Sequence, residues 1–406
     1  MLKMNSRKDP SSAHSQHPVV TLKRGREGPV RGGNPWIFSQ AIDRIDPPSP
    51  EAGALVTVHD AAGELIGMGY CNPATTIAIR MLAWGETPPI DELVARRLKS
   101  ALGLRKRFIR DDTDAYRLVN GDGDGLSGVV VDRFGDVLVV QILTAGADRM
   151  RDTIVEALNE LLHPRSIIER SHGAVRKQEG LDDHTAVLAG GSVTETMAAE
   201  NGIKLKIDFE HGQKTGYFLD QRDNRATAGS IASGASVLDA FCYQGGFSLA
   251  ALAGGASKVV AVDTSARALE VARQNLELNK YPASAVDLVH GEAGKFMAET
   301  PNRFDLIVLD PPPLARSRGD AERAGRLYVE LNTVAMRALA PGGRLMTFSC
   351  STHFRADDFV RAARFAASNA GRTLRLIAHL GPGPDHPVLL GHGEGEYLTG
   401  LLLADL

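Results

Sequence analysis

Val237-Leu238-Asp239-Ala240-Phe241-Cys242-Tyr243-Gln244-Gly245-Gly246 holds a short apolar run, an acidic residue and paired glycines within ten positions. An apolar run of this length, closed by turn residues, reads as a buried strand. The glycines let the backbone approach a ligand and open a helix whose N-terminus favours negative groups. Working outward, the same pattern recurs. Apolar runs at 259–262, 286–289, 306–309 and 345–348 alternate with helical stretches at about 247–253, 265–279, 320–338 and 356–369. Buried parallel strands joined by helices make an α/β, doubly wound open sheet. In such a sheet ligands sit at the carboxyl ends of the strands.

Those ends carry a consistent set of groups. Asp263 closes the second strand, 17 positions after Gly246, where a carboxylate can accept two hydrogen bonds from ribose hydroxyls. It can equally cap the helix that begins near Ser265. Glu292, after the third strand, offers an acceptor for an adenine amino group. The fourth strand ends Asp310-Pro311-Pro312-Pro313, and consecutive prolines make a stiff edge that fixes the Asp310 carboxylate against the cleft. The fifth ends Ser349-Cys350-Ser351 and puts a thiol beside that exit. A free cysteine is more often an inert small hydrophobe than a nucleophile. The dinucleotide fingerprint G-x-G-x-x-G is missing its third glycine, which weakens a nicotinamide-dependent oxidoreductase reading.

The chain has 406 residues, 43% of them hydrophobic and 23% charged, which fits two or three globular domains and excludes a disordered or fibrous protein. No apolar run is long enough for a membrane span. Three cysteines exclude a disulfide scaffold, fit a reducing cytoplasmic setting, and form no CxxC zinc pair, so no metal is expected. The net charge of -3 means that a nucleic acid would have to be held by local basic patches.

Four blocks follow. Residues 1–18 read as a disordered leader without a signal-peptide core. Residues 19–90 hold short β-type runs, a small barrel or sandwich. Its opening places Lys23, Arg24, Arg26 and Arg31 on glycine-rich loops beside an exposed-type Trp36, a mixture that suits phosphate contact with base stacking, or equally a solvated turn around a core tryptophan. Residues 91–200 read as an α+β block. It begins with a helix over 91–110 that carries Arg96, Arg97, Lys99, Arg105, Lys106, Arg107 and Arg110 with no acidic partner after Glu92, so it either lies along a polyanion or is a solvated face. The Gly121–Gly125 turn is only superficially like a calcium loop, because Arg133 stands where a bidentate Glu is needed. Residues 201–406 form the doubly wound domain.

With these residues in place, the strand-end set Asp239, Gly245-Gly246, Asp263 and Asp310-Pro311-Pro312 resembles class I S-adenosylmethionine-dependent methyltransferases, whose sheet is Rossmann-like. More narrowly, the block from His211 to Arg225 (HGQKTGYFLDQRDNR), with Asp310-Pro311-Pro312 and Ser349-Cys350-Ser351, resembles the ribosomal RNA large subunit methyltransferase I family, which makes 5-methylcytidine in 23S rRNA. Leu22 to Phe38 is similar to the PUA domain that opens those proteins, and 116–119 with 125–128 to their middle domain. Asn34 stands where a His is expected before Pro35-Trp36.

The resemblance implies S-adenosyl-L-methionine held by Asp239, Phe241, Gly245, Gly246, Asp263, Glu292 and Asp310. It implies catalysis by Cys350 as nucleophile with Asp310 beside it, and rRNA contacts from Lys23, Arg24, Arg26, Arg31 and Arg222. The expected partner is 23S rRNA and not a membrane, with a homodimer left open. Methylation of another rRNA base such as guanine, or a non-catalytic rRNA-binding assembly factor, are the alternatives.

Overall fold

A computed structural model describes residues 17–210, 212, 215–301, 303–315, 318–351 and 354–406. Most of the leader read over 1–18, and His211, Gln213 and Lys214 of the fifteen-residue block, lie outside the described residues.

The N-terminal block is a six-stranded sheet built from 19–22, 36–38, 42–46, 54–59, 65–71 and 77–84. Its inward positions, among them Val20, Leu22, Val56, Val58, Ile79 and Met81, are spaced two apart along their strands and fill one core. The second block lays the helix Ile90–Phe108, called the basic helix below, across a five-stranded sheet. Leu93, Val94, Leu98, Ala101 and Leu102 form its buried stripe and share a core with Leu118, Val131 and Leu138. A hairpin of Glu195–Glu200 and Ile203–Asp208 leads into the C-terminal sheet.

That sheet has seven strands: β1 (Ser236–Ala240), β2 (Lys258–Asp263), β3 (Val286–His290), β4 (Phe304–Leu309), β5 (Leu339–Ser349), β6 (Leu374–Leu380) and β7 (Thr399–Asp405). Their spatial order is β3-β2-β1-β4-β5-β7-β6. The first five are parallel, as the apolar runs predict. The antiparallel pair β6 and β7 at the edge goes beyond the sequence reading. Successive residues of each parallel strand face opposite cores. Val237, Val259, Ala261, Leu306 and Val308 belong to one, and Leu238, Val260, Val262, Ile307 and Leu309 to the other. A strand buried on both faces has no polar side, hence the unbroken apolar runs. Helices α1 (Gly246–Ala253), α2 (Ala266–Leu278), α3 (Ala293–Glu299), α4 (Ala321–Ala338) and α5 (Ala356–Ala370) cover the sheet.

Candidate active site

The turn from β1 to α1 is built from left-handed backbone. Phe241 (φ 65°) and Tyr243 (φ 49°) adopt it beside Gly245 (φ 78°), and two non-glycine residues there within three positions mark a strained, over-determined segment of the kind found at ligand sites. Asp263, at the end of β2, holds the turn. Its Oδ2 accepts the Tyr243 backbone N–H at 2.9 Å while its Oδ1 accepts that of Ser265 at 2.8 Å. The cap of α2 is Ser265, whose Oγ accepts the Ala268 N–H. Asp263 therefore ties two strand-end loops together and stays partly exposed at the cleft. Glu292, exposed at the start of α3, follows Gly291, whose N–H donates to the Asp263 carbonyl at 3.0 Å.

Asp239 lies deeper, almost fully buried. Its Oδ2 accepts both the backbone N–H (2.9 Å) and the hydroxyl (2.7 Å) of Ser248. Its Oδ1 has no hydrogen-bond partner among the described residues, and neither do the Tyr217 hydroxyl and Gln244 Oε1 around the same turn. Burial pushes the Asp239 carboxyl up to about 6. The Tyr217 ring is fixed under the Arg225 guanidinium, 4.6 Å from its centroid, and Arg225 is in turn held by Glu200 at 2.6 Å. A Cβ at position 246 would stand 2.2 Å from the Tyr217 hydroxyl, so only glycine fits. A buried polar atom left unpaired costs about 1 to 3 kcal/mol. Three around one strand-end turn are accounted for by a ligand with polar groups of its own. Of these groups, Asp239 Oδ1 could take the ammonium of S-adenosylmethionine, Asp263 its ribose hydroxyls and Glu292 its adenine amino group. Tyr217 and Gln244 are absent from the residues singled out by sequence, since nothing in a linear pattern marks an unpaired hydroxyl.

Across the cleft, the Asp310 N–H donates to the Ala240 carbonyl at 3.4 Å, which joins the end of β4 to that of β1. Cys350 Sγ lies 3.8 Å from the Pro311 carbonyl oxygen. Buried Ser351, a further residue whose part is not legible in sequence, stitches the two loops: its Oγ accepts the N–H groups of Leu314 (3.0 Å) and Ala315 (3.2 Å) and meets the Tyr328 hydroxyl at 3.1 Å. Cys350 is the partly exposed member of the three cysteines, whereas Cys71 and Cys242 are buried. Burial pushes the Cys71 thiol to about 11 and that of Cys242 well above its ordinary value.

The cationic candidates separate. Lys23, Arg24 and Arg26 are exposed. Arg31 pairs with Asp60 at 2.7 Å and Glu64 at 3.2 Å, which offsets its charge. Arg222 corrects the expectation of an RNA contact: its side chain is 3% exposed and paired with Asp385 at 2.6 Å, so it has no surface to present. For Trp36 the structure favours the second of its two readings, a tryptophan engaged by the protein, although it stays partly exposed. Its Nε1 donates to Asp122 at 3.1 Å, and its ring lies 4.3 Å from that of His392 and 5.3 Å from the Arg80 guanidinium.

The family model for S-adenosylmethionine-dependent methyltransferases matches residues 125–387, and that for a PUA-like domain matches residues 20–84. Ribosomal RNA large subunit methyltransferase I of Photobacterium profundum is 41% identical over 387 residues, 94% of this chain and 98% of that protein. The chain belongs to the ribosomal RNA large subunit methyltransferase I family. The family member from Aeromonas hydrophila is 40% identical over 95% of this chain and 98% of its own length. As an S-adenosylmethionine-dependent family, these proteins take the cofactor that the orphaned polar atoms fit, and the oxidoreductase reading falls. A solved structure, SMU.776, described as a methyltransferase complexed with SAH, superposes with a TM-score of 0.81 over 95% of this chain and 99% of that one at 22% identity, which extends the likeness to the fold. Among the described residues no helix is long and apolar enough to cross a membrane.

Proposed function

We propose that this chain methylates carbon 5 of a cytidine in 23S rRNA through a covalent adduct between Cys350 and carbon 6. The rRNA substrate is that of the named relatives, and the reaction would take place in the cytoplasm, where ribosomes are made. The observation that carries the chemistry is the approach of the partly exposed Cys350 thiol to the Asp310-Pro311 turn, at the strand ends beside the cofactor turn.

Carbon 5 of cytosine is a poor nucleophile and needs prior activation at carbon 6. The Cys350 thiol gives up its proton, its sulfur bonds to carbon 6, and electron density moves to carbon 5. Asp310, protonated or sharing a hydrogen bond with N3, stabilises the charge displaced onto the ring. The bound cofactor supplies an electrophilic methyl group. After carbon 5 has taken it, a base removes the carbon 5 proton, the sulfur–carbon 6 bond breaks, and Cys350 leaves as thiolate. Asp239, Asp263 and Glu292 orient the cofactor, while the stiff proline edge holds Asp310. The target base must leave any stack that it occupies.

RNA containing 5-fluorocytidine tests the reading, because fluorine cannot leave carbon 5 as a proton does. A stable protein–RNA adduct through Cys350, with bisulfite mapping of a cytidine lost on gene deletion, is expected. Methyl transfer to a guanine, or transfer without any adduct, would overturn it.

A further inference from the structure

The first domain's cations do not account for the basic helix Ile90–Phe108. Its solvent face carries Arg96, Lys99, Lys106 and Arg107 over about 17 Å of helix. Among the described residues, only Arg96 of these has a carboxylate partner, Glu86 at 2.5 Å. On the flank of that stripe a hollow of about 420 Å³ opens where all three domains contribute a wall. Trp84, Arg97, Ser100, Arg107, Asp124 and Leu389 are among its walls.

Arg97 decides how this face is read. Its Nη2 donates to the Leu82 carbonyl at 3.0 Å, while its Nε is buried with no hydrogen-bond partner among the described residues. Burial lowers its pKa, with repulsion from Arg96 acting in the same direction. A purely solvated face would not half-bury a guanidinium whose acting carboxylate, Glu86, is bonded to Arg96 instead. Asp124, the one carboxylate in the wall, is already committed: Arg105 takes both its oxygens, at 2.5 and 2.8 Å, and the Asn120 N–H donates to it at 2.6 Å. The wall of the hollow therefore offers Arg97 and Arg107 no uncommitted carboxylate, and among the described residues only Glu86, from outside it, acts on Arg97. Gly103, Gly123 and Gly125 line it too, so backbone can come close to a ligand. A single small anion would use Arg97 and Arg107 and leave Lys99 and Lys106 idle, whereas a chain of phosphates uses the whole stripe.

We propose that the basic helix and the hollow beside it form a second RNA surface, in which Arg97, Lys99, Lys106 and Arg107 contact the phosphate backbone of the substrate. This rests on the rRNA reading above and adds where the RNA runs. The surface is rigidly joined to the methyl-transfer domain. Arg105 donates to the Asp385 carbonyl at 2.6 Å, and the Asp385 carboxylate accepts from the Arg117 N–H at 3.0 Å and from Arg222 at 2.6 Å. RNA gripped on the helix is thereby held in fixed register to the strand ends.

Fluorescence anisotropy of the full-length protein on a 23S rRNA fragment over a range of salt tests this, comparing wild type with K99Q/K106Q/R107Q, with R97Q, and with the remote control K258Q/R273Q/K295Q. Loss of three phosphate contacts should weaken binding about tenfold or more and make the slope of log K against log salt shallower by about 2, while R97Q flattens it by about 0.7. Cofactor affinity by calorimetry should match wild type in every variant, which shows that they are folded, and the control should bind RNA as wild type does. A triple variant with wild-type affinity and slope, in a protein that methylates rRNA, overturns the surface and leaves the function standing. A flattened slope in a protein that transfers no methyl group does the reverse. A wild type that binds no rRNA overturns both.

Discussion

Cys350 Sγ sits 3.8 Å from the carbonyl oxygen of Pro311, so the thiol at the end of β5 and the turn at the end of β4 form one wall of the cleft. Replacing Cys350 by Ala should lower methyl transfer roughly 10³-fold or more, as expected when a nucleophile is removed, and leave cofactor affinity as it was. Cys242→Ala should keep activity within a few-fold, since that thiol is buried and held protonated. Tritium transfer from labelled cofactor to rRNA reads both. Retained transfer in the Cys350 variant would remove the covalent step.

Asp263 bridges two backbone N–H groups. Asp263→Ala removes both acceptors and the carboxylate offered to the cofactor. A charge-assisted hydrogen bond contributes about 1.5 to 3 kcal/mol, so cofactor affinity should fall roughly ten- to a hundred-fold. Turnover at saturating cofactor should change far less. Calorimetry checks the first expectation and steady-state rates the second, and unchanged affinity would reduce Asp263 to a loop tie.

The parallel half of the sheet is legible in sequence because its central strands feed two cores and so are mostly apolar, while β3 at the edge carries exposed Asp287 and His290. The edge strand β6 is not, since Leu374–Leu380 is largely exposed and carries Arg375 and His379. The strand-end residues Asp239, Asp263, Asp310 and Cys350 could be picked out because topology fixes where a strand terminates. Trp36 and Arg222 could not be judged in the same way. What covers them comes from residues remote in sequence: His392 and Asp122 over the tryptophan, and Asp385, 163 positions away, against the arginine. A local pattern carries no information about such partners: an arginine that looks fit for RNA is used inside the protein, and a tryptophan that could stack a base is engaged by its neighbours.

Asp239 makes the cofactor-free protein weaker as the pH rises. Burial is the main cause that lifts its carboxyl from 3.8 to about 6, so between about pH 4 and 6 the folded state holds a proton that the unfolded chain has lost. Stability is full below that window and declines through it, by a total of about 3 kcal/mol at 1.36 kcal/mol per unit. Asp239→Asn should therefore melt above wild type at pH 7.5, match it near pH 4, and bind the cofactor more weakly. Calorimetric melts of the cofactor-free proteins across this range check it, and parallel pH profiles would rule out the buried ionisation.

Asp385 has the opposite sign. Burial alone would raise its carboxyl, but the His386 hydrogen bond and charge, followed by the Arg222 charge, outweigh it and hold the group well below the ordinary carboxylate range. Its contribution to stability is present above about pH 4 and is lost as the pH falls towards the folded-state value. Asp385→Asn leaves Arg222 buried at 3% exposure with Asp223 as its remaining carboxylate partner, and breaking a buried pair from one side costs about 3 to 5 kcal/mol. Urea midpoints should show a large deficit for the variant at pH 7 that narrows between pH 4 and 2.5. Arg222→Gln should show a similar deficit, yet keep the wild-type salt dependence of RNA binding where it is folded, because its guanidinium never reaches the surface. A flattened slope in that variant would return Arg222 to the RNA-binding set.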